Sequence, residues 1–268
     1  MLSSADIDFY EEHGYLVLPG QFSAAESELL LGETRRLSQL DIPQRILESD
    51  GEQVRSVYAV HQHSDAFDRF TRDPRNLEPA RELLGGDVYI HQTQLNPKAP
   101  FQGDVWEWHQ DYLYWQRDDG MAEPRALNVS VFLDEVTEFN GPIFVMPGSH
   151  RLALDDETRT HQDGWENTLT ADIRHKITPD TLSRLADRLG LVSIKGDPGT
   201  TVVFDGRLLH CSPPNLSGNP RSVIFIRYNS VDNPLREVPA PRPEWLASRD
   251  PRPLGALSHP FADADAAG

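Results

Sequence analysis

The chain has 268 residues, 38% of them hydrophobic, and its 42 acidic against 25 basic side chains give a formal net charge of -17. That length suits one large domain with a sizeable core, and so large an acid excess argues against nucleic acid or an anionic membrane surface as partner, because both demand a basic face. The single cysteine, Cys211, cannot close an intramolecular disulfide, and the polar, acidic start Met1–Asp6 has neither signal-peptide nor membrane-spanning character, which points to the cytoplasm.

In chain order, Ser4 to Gly14 opens on a capping serine and ends on a glycine, so a short helix is expected, followed by a strand over Tyr15–Leu18. Between Ser23 and Leu40 the leucines 29, 30, 37 and 40 recur among charges behind a serine cap, as in an amphipathic helix. A further helical piece runs from Leu77 to Leu84 and stops at Gly85-Gly86. Strand formers then take over: Asp87–Asn96, Ala126–Asp134 with period two, Gly141–His150 closed by a Pro-Gly turn, Thr200–Asp205 and Ser222–Asn229. Helices in front and many strands behind predict a mainly β fold, a double-stranded β-helix or jelly roll with the N-terminal helices packed outside. Residues 1–255 read as one domain and the Ala/Asp-rich stretch 256–268 as a flexible tail. The polar segment 152–199, with one good helix at Pro179–Leu189, reads as an insertion, either a lid or a long solvated loop.

Chemistry concentrates in Trp106-Glu107-Trp108-His109-Gln110-Asp111-Tyr112. Side chains two apart on an extended strand share a face, so His109 and Asp111 can grip one ion. His210 follows another apolar run a hundred residues later. Two imidazoles and one carboxylate on one side of a metal leave the other side open, as in the non-haem Fe(II) oxygenases; a zinc site would ordinarily offer a tighter or more thiolate-rich set. Ten histidines make an isolated His-x-Asp a weak signal, and the rival pair His61 and His63 sits before an apparent helix start, as surface or supporting residues. Cys211 is expected to turn away from the ion. Arg221, eleven residues after His210, suits the far carboxylate of a 2-oxoglutarate cosubstrate, because a guanidinium forms a two-pronged, charge-assisted pair with it; the plain alternative is a surface strand arginine.

Gly103-Asp104-Val105-Trp106-Glu107-Trp108-His109-Gln110-Asp111-Tyr112, Trp115, Asp119-Gly120-Met121, Phe139-Asn140-Gly141-Pro142 and Pro147-Gly148-Ser149-His150 resemble the phytanoyl-CoA dioxygenase superfamily. Within it the chain is most similar to bacterial hydroxylases of free amino acids and of ectoine, above all the L-proline trans-4-hydroxylase and L-leucine hydroxylase types, through runs such as Arg45–Glu48, Val54–Tyr58 and Gly86–Gln92. The resemblance implies Fe(II) held by His109, Asp111 and His210, with 2-oxoglutarate gripped by Arg221 and O2 as second cosubstrate. It also implies that Gln92 and Asn96 line the cosubstrate and substrate pocket, that Trp115 is a pocket aromatic, and that Arg242 receives the substrate carboxylate. Related halogenases carry a small residue at the position of Asp111, so a carboxylate there implies hydroxylation. Gln94 is a departure, since the ectoine hydroxylases carry arginine at that position.

A free amino acid is zwitterionic, so its pocket needs a cation and an acceptor. Arg242 is the first candidate for the cation, with Arg55 and Arg117 in reserve, and Tyr58 joins Trp115 as an apolar wall; Asp163, Glu166 and Asp172 are sources of the acceptor. Competing readings are another small zwitterion, a natural-product intermediate, or a non-catalytic jelly-roll binding protein.

Overall fold

The computed structural model describes residues 1–154, 159–161, 164–259, 261 and 262. Four helices come early: α1 (Ser4–His13), α2 (Ala24–Leu37), α3 (Asp65–Thr71) and α4 (Pro74–Leu84). The first two begin with capping boxes, in which Ser3 pairs with Asp6 and Ser23 with Glu26, so each serine satisfies an orphan N–H while the acid three residues on reaches back. The cap of α1 is therefore Ser3, one residue before the expected one, and α2 stops at Leu37 rather than Leu40.

The strands are β1 (Tyr15–Leu18), β2 (Arg45–Leu47), β3 (Val54–Tyr58), β4 (Val88–Lys98), β5 (Trp106–His109), β6 (Ala126–Phe132), β7 (Ile143–Val145), β8 (Arg159–His161), β9 (His175–Ile177), β10 (Val192–Ile194), β11 (Thr201–Asp205), β12 (His210–Ser212) and β13 (Arg221–Ser230). Helices α5 (Asp111–Asp118) and α6 (Pro179–Leu189) complete the set. A seven-stranded antiparallel sheet runs β1-β11-β6-β13-β4-β3-β2, a four-stranded sheet runs β10-β7-β12-β5, and β8 with β9 forms a ribbon. This is the jelly roll expected from the strand pattern. Among the described residues no helix is long and apolar enough to cross a membrane.

The large sheet is covered on both faces. Leu127, Val129 and Val131 of β6 and Ile224, Ile226 and Tyr228 of β13 pack under Leu30, Leu37, Phe67, Phe70 and Leu77 of the helices. The opposite face meets the small sheet through Phe132, Val223 and Phe225 against Ile143, Val145 and Ile194. A polar side chain on that inner face therefore points into the barrel, not into solvent. Gln92, Gln94 and Asn96 of β4 and Arg221 and Arg227 of β13 are all placed this way, in a barrel whose mouth forms the site.

The segment 152–199 carries β8, β9, β10 and α6, and two of its residues, Leu169 and Ile173, reach the interior cavity. Within the stretch expected to hang free from residue 256, Leu257 N donates to Arg72 O, and Phe261 is buried against Phe22 and Phe70 while its N–H bonds Asp73. An aromatic side chain carries enough apolar area to hold such a segment down despite its polar neighbours.

Candidate active site

The nine residues singled out from sequence, Tyr58, Gln92, Asn96, His109, Asp111, Trp115, His210, Arg221 and Arg242, all line one cavity of about 720 Å³, its open mouth included. Its centre is the junction of β5 with β12, where His109 and His210 stand opposite each other in register with ring centroids 4.2 Å apart. The expected strand through Asp111 ends at His109. Gln110 keeps an extended backbone, and Asp111 then opens α5, whose start is fixed by Tyr112 N donating to Gly206 O at 2.8 Å. The extended Gln110 keeps the histidine and aspartate on one side, and the carboxylate gains the positive end of the helix dipole.

The three side chains present their ligand atoms within 4.8 Å of one another. Each imidazole is oriented from behind: His109 Nδ1 donates to Glu107 O (2.6 Å) and His210 Nδ1 to Leu208 O (2.9 Å). A carbonyl only accepts, so each ring carries a proton on Nδ1 and turns Nε2 toward Asp111, that of His109 at 3.5 Å from Oδ1 and that of His210 at 3.8 Å from Oδ2. Burial, helped by the neighbouring His109, pushes the His210 pKa down to about 4 against the pull of Asp111. Burial opposes ionisation of Asp111 as well, yet Arg227 and the two histidines hold its carboxyl well below the usual range. A divalent metal takes imidazole nitrogens in their neutral form together with an ionised carboxylate. Cys211 lines the cavity but stands outside this cluster, and burial pushes its thiol up to about 12, so it stays protonated.

Arg221 lies buried at the start of β13. Its Nε and Nη2 donate to Gly141 O (3.0 and 2.8 Å), Nη2 also to Ser212 Oγ (2.9 Å), and Nη1 to Asn96 O and Oδ1 (3.0 and 2.8 Å). These partners are neutral, so the guanidinium is fixed in direction while its charge has no carboxylate at hand among the described residues. Burial lowers its pKa to about 10, opposed by the more distant Asp134 and Glu48. Asn96 completes the brace by donating to Arg55 O at 2.8 Å, and Gln92 and Gln94 are held by Leu246 O and Ser56 Oγ.

Arg242 reaches the cavity already engaged: Nε and Nη2 grip Asp119 Oδ1 and Oδ2 at 2.7 and 2.6 Å, and the same carboxylate meets His91 Nε2 at 3.1 Å. The reserve arginines go elsewhere. Arg55 is buried behind the wall, ion-paired to Glu48 at 2.9 Å, stacked 3.7 Å over Trp106, and bonded to the carbonyls of Leu169 and Thr170; Arg117 lies on the exposed face of α5. Glu166 and Asp172 are exposed, the latter paired with Lys176, and Asp163 lies outside the described residues. His61 bonds Thr93 Oγ1 and does not line the cavity.

Sequence reading missed Asn128, whose Nδ2 bonds Asp111 Oδ2 at 3.0 Å, and Arg227, whose Nε lies 3.6 Å from that oxygen. Each is a polar residue on the inward face of a strand buried on both sides, and that is the signal that could have found them.

Residues 10–223 match the family model described as phytanoyl-CoA dioxygenase (PhyH). The chain belongs to the phytanoyl-CoA dioxygenase family. Among curated members it is 36% identical over 267 residues to the ectoine dioxygenase of Bordetella parapertussis, covering 96% of this chain and 87% of that one. It is 34% identical over 250 residues to the L-proline trans-4-hydroxylase of Streptomyces griseoviridis, covering 91% and 92%. Among solved structures of family members, EctD from S. alaskensis with 2-oxoglutarate and 5-hydroxyectoine superposes with a TM-score of 0.86 at 35% identity, covering 97% of this chain and 89% of that one. The same protein with bound Fe gives 0.85 at 34%, again covering 97% and 89%. As a phytanoyl-CoA dioxygenase family member the chain is an oxygenase, and its wall departs from a purely apolar pocket by carrying three arginines, Arg221, Arg227 and Arg242.

Proposed function

We propose that this enzyme is an Fe(II)- and 2-oxoglutarate-dependent hydroxylase of a free L-amino acid, with proline or an aliphatic residue such as leucine favoured. The observation that carries the reading is the pairing of two Nε2 lone pairs and one carboxylate with a rigid, carboxylate-free Arg221 in the same cavity. In it His109, Asp111 and His210 hold the iron, and Arg221 receives the far carboxylate of 2-oxoglutarate, with Asn96 and Gln92 bracing that side. The iron and cosubstrate, with O2, supply the oxidative power that inserts one oxygen into an unactivated C–H bond, releasing succinate and CO2.

The protein's own part is positional. The Glu107 and Leu208 carbonyls keep the imidazole protons off the ligating nitrogens, Asn128 aims the Asp111 carboxylate, and Tyr58, Trp115, Leu169 and Leu246 wall the cavity from water. Support for a small charged substrate comes from the arginine-lined interior and from the hydroxylases of proline and ectoine among the relatives. We assign the enzyme to the cytoplasm on its single cysteine.

The test is anaerobic loading with Fe(II), then admission of air with 2-oxoglutarate and a panel of free amino acids, ectoine and small peptides. Succinate formation that depends on the added compound, with one oxygen added to that compound, is the expected result. Absence of both for every free amino acid, with turnover of another compound, would replace the substrate assignment.

A further inference from the structure

Lys98, the last residue of β4, stands directly opposite Arg221, the first residue of β13. Residues opposite each other in an antiparallel ladder share a face, so two cations lie side by side inside the protein, each only 1% exposed. Like charges placed this way destabilise a sheet, and burial raises the cost. Little offsets it. Glu48, an acid whose field reaches both, is ion-paired to Arg55 at 2.9 Å, and Asp134, which also acts on Arg221, is hydrogen-bonded to Ser222.

The surroundings of Lys98 nevertheless select its charged form. Nζ donates to three carbonyls, those of Asp104 (3.1 Å), Ser212 (3.5 Å) and Pro213. An ammonium has three N–H groups for them, whereas a neutral amine would turn its lone pair on one of the oxygens. Burial, and then Arg221 and Arg55, pull the pKa well below that of a free lysine, and the three carbonyls work against that pull. The stem has no room to swing away: a Cβ at Gly141 would lie 2.9 Å from Cδ of Lys98, and one at Gly103 would lie 3.1 Å from its Cγ. Lys98 does not itself line the cavity, but Ser212 links it to the wall. The Ser212 carbonyl accepts from Lys98, its Oγ accepts from Arg221 and donates to Gly141 O, and that same oxygen takes two prongs of Arg221.

We propose that Lys98 is a positioning residue for the cosubstrate, a second buried positive charge behind Arg221 that strengthens its hold on the far carboxylate of 2-oxoglutarate and fixes Ser212 beside it. This rests on the Fe(II)/2-oxoglutarate reading of the site. The cross-strand pair of cations is unfavourable in the free enzyme, and an anion arriving at Arg221 compensates both charges at once, so the repulsion built into the fold is relieved on binding. Lys98 acts through Arg221 and Ser212 and touches no reacting atom.

The test is calorimetric titration of 2-oxoglutarate into enzyme loaded anaerobically with Fe(II), comparing wild type, Lys98→Gln and Lys98→Met, with Fe(II) affinity measured on the same proteins. Lys98→Gln keeps donors for the carbonyls and loses the charge, Lys98→Met loses both, and whichever of the two folds carries the test. Each variant is expected to bind 2-oxoglutarate at least about tenfold more weakly, while its affinity for Fe(II) changes by less than about threefold. A brace that merely ties the approach to β5 onto the end of β12 would act differently. Its loss would strike the iron first, because those two strands carry His109 and His210. Either variant binding 2-oxoglutarate like the wild type, or a loss of Fe(II) affinity as large as the loss for 2-oxoglutarate, would overturn the role of Lys98. Wild-type enzyme that takes up Fe(II) and then binds no 2-oxoglutarate would overturn the proposed function itself, and this role with it.

Discussion

Asp119→Asn probes the carboxylate that holds Arg242 at the cavity wall. Asp119 is fully buried and takes both prongs of Arg242 at 2.7 and 2.6 Å, with His91 at 3.1 Å. Asparagine keeps the shape but removes the charge, leaving a buried guanidinium without its hydrogen-bonded counter-ion. Breaking one side of such a pair costs about 3–5 kcal/mol, because the surviving charge stays desolvated. At roughly 2–3 °C per kcal/mol for a chain of this size, the unfolding midpoint should fall by about 6–15 °C.

The pH dependence follows from the same pair. Burial by itself would raise the Asp119 carboxyl, but Arg242 and His91 hold it below the usual range. Its folded pKa is therefore depressed, so its contribution is full above the unfolded value of about 3.9 and is lost as pH falls through the folded one. Scanning calorimetry of metal-free protein should show a constant gap between wild type and variant near neutrality, narrowing below about pH 4. In a double-mutant cycle, adding Arg242→Met to Asp119→Asn should restore at least about 1 kcal/mol, since the orphaned charge leaves with it. A midpoint drop under about 2 °C at pH 7, or strictly additive effects, would refute the argument that this is a stability-determining buried pair.

Asp111→Ala takes away one of three donors and should abolish both succinate formation and tight Fe(II) binding, the second read by metal titration of the folded variant. Arg221→Met should raise the 2-oxoglutarate concentration needed for half-maximal rate by at least about 30-fold, with a much smaller effect on affinity for the hydroxylated substrate. Gly206→Ala should destabilise by about 1–3 kcal/mol and raise KM for the same substrate. A Cβ at Gly206 would lie 2.3 Å from Cζ3 of Trp115, a buried ring with no room to retreat except toward the cavity. Unchanged melting and KM in that variant would show that the Trp115 wall is loose.

The jelly roll was readable because Ala126–Asp134 alternates apolar with polar residues and the other long runs are rich in strand formers, yet that alternation carried more than was taken from it. In Ala126–Phe132 the residues Leu127, Val129 and Val131 meet the helices, and the polar partners Asn128 and Ser130 are as buried as they are. In a sheet covered on both faces a polar face cannot be the solvent face; it has to line a hollow whose walls need donors and acceptors. Applied to β13, the same rule picks out Arg221 and Arg227 together, whereas spacing from His210 picked out only the first. The metal cluster was found through side-chain chemistry although the local geometry assumed for it was incomplete. His109 ends a strand and Asp111 begins a helix, and it is the extended Gln110 that keeps their side chains convergent. The pairing of Arg242 with Asp119 had no comparable signal, because the two are 123 residues apart and no periodicity links a coil to a helix end. Only folding reveals which of several arginines near a site has already been given a counter-ion. That distinction separates an arginine built into the wall from one held ready for a ligand.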